Sequence, residues 1–165
     1  MENNNEIIER IETLISEKKY QNIKTILNDL NIHDIALIIE ERPEKENIRI
    51  VELLNNDIAA DVFSCLDTDI QTNIISSLSD KKAVDIINEM SADDATDLMD
   101  EMPANIVNRL LSKVDPETRR DINALLKYPD NSAGSVMTVE YFDFKSDLTV
   151  SEAISKIKKE YDEKE

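Results

Sequence analysis

A chain of 165 residues with 41% hydrophobic but only 4% aromatic residues can bury one core, and that core must be aliphatic. Its formal net charge of −17 excludes a phosphate-binding surface, which needs clustered Lys and Arg, and favours cations or basic partners instead. One Gly and four Pro point to an almost wholly helical chain, and the longest apolar run, Ile35 to Ile39, is far too short to span a bilayer.

One apolar residue recurs every twelve positions from Leu14 to Leu126: Leu14, Ile26, Ile38, Ile50, Val62, Ile74, Ile86, Leu98, Leu110 and Ile122. The next position is apolar from Ile15 to Leu111 and fails at Asn123; the position four beyond the first is apolar except at Lys18 and Arg42. Apolar residues at i, i+1 and i+4 are a helical spacing, and a fixed period signals stacked copies of one unit. The position after the third column holds Asn31, Pro43, Asn55, Asp67, Ser79, Ser91, Pro103 and Asp115, residue types that begin helices. Each unit is therefore a helix of roughly ten residues and a tight turn, too short to persist alone. Stacking must stabilise it, and the expected fold is an all-α superhelix of about ten short helices.

In chain order, a polar, acidic lead-in unlike a signal peptide precedes helices predicted from Glu6 to Lys18 and from Tyr20 to Leu30. The third helix opens near His33, the only histidine, which reads as solvent-facing. Cys65, the only cysteine, reads as a small core filler in a reducing compartment. Nothing in the sequence brings these two together, and with no glycine-rich phosphate loop either, no enzyme is indicated.

The eighth unit, Ser91 to Met102, is dense in acid: Asp93, Asp94, Asp97, Asp100 and Glu101. Ser91 reads as the N-cap, with Asp93 and Asp94 in a first turn whose dipole favours negative charge. Asp97 stands four residues after Asp93 on the same face, where like charges repel and a cation would relieve them. Asp61 holds the same place in its own unit as Asp97. Two carboxylates at i, i+4 are common on helices, so from the residues alone a solvated acidic face is favoured over a metal site.

The register stops after a tenth helix from about Pro116 to Lys127, where Pro129 and the turn-rich stretch to Thr138 form a connector holding the only glycine, Gly134. Val139 to Phe144 alternates like a strand, and Leu148 to Ile154 opens a helix capped by Thr149 or Ser151. A strand and a helix alone make no sheet, so this tail reads as the start of an α/β module continuing beyond Glu165.

The connector Y-P-x-x-S-A-G-x-x-M-T at Tyr128 to Thr138, after acidic repeats such as D-D-A-T-D, resembles the MgtE family of magnesium transporters. The resemblance implies an N-terminal helical domain over 1–128, a connector over 129–138, and the start of a cystathionine-β-synthase (CBS) domain over 139–165, where T-V-x-E-A matches Thr149 to Ala153. It further implies a cytosolic sensor on the cytoplasmic face of the membrane. In such a sensor, weakly bound regulatory Mg²⁺ bridges the acidic N domain and the CBS domain to hold a dimeric transmembrane pore closed. Family metal positions carry over onto Asp61, Asp93 and Asp97. The repeats alone are also similar to part of the flagellar motor switch proteins, which leaves an acidic protein-interaction scaffold as the alternative reading.

Overall fold

The structure, a computed structural model, describes residues 4–129, 131–139 and 141–162. Among these, regular structure is wholly helical: α1 (Asn4–Ser16), α2 (Tyr20–Asn28), α3 (Ile32–Glu40), α4 (Glu44–Leu53), α5 (Asn56–Phe63) and α6 (Thr68–Ser77). They are followed by α7 (Asp80–Glu89), α8 (Ala92–Asp100), α9 (Ala104–Leu111), α10 (Pro116–Leu125), a 3₁₀ turn (Ala133–Val136) and α11 (Val150–Asp162). No described helix is long and apolar enough to cross a membrane.

The twelve-residue register sets where the helices start. Asn31, Pro43, Asn55, Asp67, Ser79, Ser91, Pro103 and Asp115 are all N-caps, each with ψ between 133° and 161°, which breaks the preceding helical run. Asn31, Ser79 and Ser91 accept the backbone N–H of Asp34, Lys82 and Asp94 at 3.0, 3.3 and 3.3 Å, satisfying donors that a helix start leaves free. Pro43 and Pro103 lack an N–H and cannot extend the helix backwards. The first helix stops differently: Lys18 adopts φ 57°, and Lys19 N–H donates to Leu14 C=O at 2.9 Å, a Schellman closure.

The first apolar column forms the interior. Ile38, Ile50, Val62, Ile74, Ile86, Leu98, Leu110 and Ile122 are buried and Leu14 nearly so, whereas Ile26 is half-buried because Ile23 and Leu27 take the inward positions of α2. The second column is buried from Leu27 to Leu111. Two buried neighbours on one helix diverge by about 100°, so each helix needs a wide apolar face. The packing supplies a use for it: α3, α5, α7 and α9 stack in one row and α2, α4, α6, α8 and α10 in another, with the seam between them.

Where the third column breaks, the reason is local. Arg42 is buried, and its guanidinium reaches Glu46 at 3.0 Å, Glu12 at 3.2 Å and the Ile8 carbonyl at 3.3 Å, tying α1 to the start of α4. Across the odd row, the half-buried Asp80 of α7 meets Lys113 at 2.6 Å and Arg109 of α9 at 3.4 Å, and these cations hold its carboxyl below the ordinary range.

The tail differs from expectation in one respect. Residues 141–145 pair with no strand among the described residues, because a single extended segment has no ladder to join, and Glu140 lies outside the description. The helix expectation holds, with Thr149 as the cap: Glu152 N–H donates to Thr149 Oγ1 at 3.3 Å, while Thr149 N–H and Oγ1–H donate to Glu152 Oε2 at 2.8 and 2.7 Å. Those bonds pull the Glu152 carboxyl below its ordinary pKa.

Leu98, fully buried at the centre of the seam, and the half-buried Ile26 separate membership of the column from burial. Leu98→Ala is expected to cost about 2–5 kcal/mol in urea unfolding. Ile26→Ala should cost clearly less; equal losses would mean that the register, and not the burial, sets the energetics.

Candidate metal site at the acidic helix

Helix α8 runs in the even row against α10, and the connector folds back over both. Three features of the connector close it. Gly134 lies so near the Tyr128 ring that an added Cβ would overlap it, which is why a residue without a side chain is needed there. Ser132 accepts Ser135 N–H at 3.2 Å and starts the 3₁₀ turn. Thr138 Oγ1–H then donates to Asp93 Oδ1 at 3.3 Å, bringing the end of the connector onto the acidic helix.

Between these parts lies a cavity of about 80 Å³ lined by Asp93, Asp97 and Asp100 on one side and by Leu126, Tyr128 and Met137 on the other. The three acids are spaced i, i+4 and i+7 along α8, which places them on one face. Among the described residues, no Lys or Arg forms an ion pair with any of them. The Asp97 carboxyl is consequently pushed above its ordinary value, first by partial burial and then by the charges of Asp94, Asp93 and Asp100.

Asp94 is committed elsewhere. Ser64, the C-cap of α5, donates its hydroxyl to Asp94 Oδ2 at 2.6 Å, so this acid joins the odd row to the even one. Asp61 is exposed on α5, three residues before Ser64, and does not line the cavity. The structure thus brings Asp93 and Asp97 together, leaves Asp61 on the neighbouring element, and adds Asp100, which the i+7 spacing from Asp93 would have revealed. Among the described residues, no three His, Cys, Asp or Glu side chains converge into a cluster able to enclose a metal ion. The donor set is one or two hard carboxylate oxygens beside solvent, which suits a cation that keeps most of its own water.

The family model for the MgtE intracellular N domain matches residues 30–131. The magnesium transporter MgtE of Bacillus subtilis (strain 168) is 30% identical over 153 residues, covering 93% of this chain, while the chain spans only 34% of that protein. Two solved structures share the fold. The crystal structure of the soluble part of a magnesium transporter superposes with a TM-score of 0.84 at 22% identity, over 97% of this chain and 63% of that one. The cytosolic domain of the Mg²⁺ channel MgtE in complex with ATP gives a TM-score of 0.80 at 26% identity, over 90% and 61%.

Because the folded state raises the Asp97 pKa above 3.8, its ionised form penalises folding, in full above the folded pKa and not at all below the unfolded one. Asp97→Asn should therefore raise the thermal midpoint at pH 7, and the gain should vanish as pH falls through the folded pKa towards 3.8. A gain that persists unchanged at pH 3 would point to some cause other than charge. Gly134→Ala should displace the Tyr128 ring and open the cavity, read as increased collisional quenching of tyrosine fluorescence by acrylamide.

Proposed function

The chain belongs to the MgtE intracellular N domain family, and we propose that it is the cytosolic, Mg²⁺-sensing part of a magnesium transporter whose CBS and transmembrane domains lie in the rest of the protein. The observation that carries this reading is the set of carboxylates on one face of α8, with no basic partner among the described residues and with Asp97 held above its ordinary pKa by its neighbours. A mobile cation would relieve the repulsion among these carboxylates.

Mg²⁺ dehydrates reluctantly and is usually held through one or two carboxylates, so Asp93 and Asp97 would take it mostly through its waters, with Asp61 contributing from α5. Binding of that kind is weak and reversible, as a sensor of a cellular ion requires. Two acidic surfaces repel when bare and close when divalent cations lie between them, so the ion favours the closed arrangement by its differential affinity. On this reading the second surface is the CBS domain of the same protein, residues 139–165 are its beginning, and the transporter is a homodimer in the cell membrane with this part on the cytoplasmic side. The ion is then both regulator of this part and cargo of the pore, and no enzymatic step is involved.

Limited proteolysis of the full-length transporter with and without millimolar Mg²⁺ tests the proposal. Protection by Mg²⁺ is expected in the wild type and should be lost in the Asp61→Ala, Asp93→Ala, Asp97→Ala triple variant. Undiminished protection in that variant would place the sensing elsewhere.

A further inference from the structure

The only histidine and the only cysteine of the chain meet. His33 is the second residue of α3 and Cys65 follows α5 by two residues, and these helices are neighbours in the odd row. The stacking places Cys65 Sγ 3.5 Å from His33 Nδ1, a hydrogen-bonding distance for a thiol and an imidazole. The sulfur is held in position by its own backbone, since Cys65 N–H donates to Val62 C=O at 3.0 Å. Cys65 is half-buried and His33 exposed, so small reagents can reach the pair.

Neither residue lines the acidic cavity; Cys65 packs against the edge of the aliphatic core, partly as the small filler expected, and leaves its sulfur within reach of His33. Thiols react as thiolates, and a free thiol is only a few per cent ionised at pH 7. An imidazole nitrogen in contact with the sulfur is the arrangement by which proteins activate a cysteine. The contact also comes from a second helix fixed by the fold, so it does not depend on chance proximity along the chain.

We propose that Cys65 and His33 form a reactive-thiol pair, a modification site for small electrophiles and peroxides. With hydrogen peroxide, His33 Nδ1 accepts the thiol proton while Cys65 Sγ attacks one peroxide oxygen. The S–O bond forms as the O–O bond breaks, and the departing hydroxide takes the proton from the imidazolium to leave as water. Sulfur is oxidised by two electrons to the sulfenic acid and the peroxide is reduced by two. A small cellular thiol then condenses with the sulfenic acid, giving a mixed disulfide and a second water.

A single cysteine makes the test direct. The rate of iodoacetamide alkylation of the 165-residue chain, followed by intact mass, is compared between wild type and His33→Ala at pH 7, with the urea midpoint of each confirming equal folding. The variant should react slower by about tenfold, because a thiol without a base is limited by its small ionised fraction. At pH 10, above the ordinary thiol range of about 8.5, the two proteins should react alike. Dimedone labelling after peroxide treatment should fall in parallel. Equal rates at pH 7, or a rate deficit that persists at pH 10, would overturn the pair.

Discussion

A helix of eight to ten residues cannot hold itself together in water, and the twelve-residue unit permits nothing longer. That constraint governs the rest of the molecule. Every unit must bury a wide apolar face against the units around it, and it does so by alternating between two rows whose shared seam is Ile, Leu and Val. The low aromatic content suits this geometry, since each twelve-residue step fills the seam with two or three aliphatic side chains, and among the described residues Phe63 is the fully buried ring. Among the described residues the buried polar side chains are Arg42, which anchors α1, and Asn47 on α4.

Because the interior uses almost no charge, the net charge of −17 lies on the surface, and the fold deals with it one acid at a time. Asp80 is answered by Lys113 and Arg109, Asp94 by the Ser64 hydroxyl, and Glu152 by its own cap. Among the described residues, the face of Asp93, Asp97 and Asp100 receives the Thr138 hydroxyl and no cation. The contrast between neutralised and unneutralised acids gives that face its meaning, more than the abundance of acid does.

Much of this was legible in the residue pattern because it is periodic and local. The column positions and all eight N-caps follow from the spacing of apolar residues and from which side chains can start a helix. Ile26 fails because α2 is rotated so that Ile23 and Leu27 point inward, which depends on the end of the array and not on the repeat. The metal reading of Asp93 and Asp97 was visible as an i, i+4 pair, but its tie to the connector was not, since Thr138 meets Asp93 across 45 positions and Tyr128 meets Gly134 only once the 3₁₀ turn is built. Ser64 with Asp94, and His33 with Cys65, arise from stacking between units, and no local rule on one unit names its partner in another.

The connector is where these two levels join. The last helix of the array ends at Leu125, two residues before the expected Lys127 and short of Pro129, and the turn that follows doubles back because Gly134 lets the chain pass against the Tyr128 ring. Had the chain instead continued away from α10, Asp93, Asp97 and Asp100 would stand on an open helix face in bulk solvent, where their mutual repulsion is screened and weak. By lining the other side with Leu126, Tyr128 and Met137, the connector sets apolar surface beside carboxylates that stay open to solvent, and the partial burial of Asp97 adds to the cost of its charge. The one segment that departs from the repeat thus gives an otherwise ordinary acidic helix a partial apolar cover.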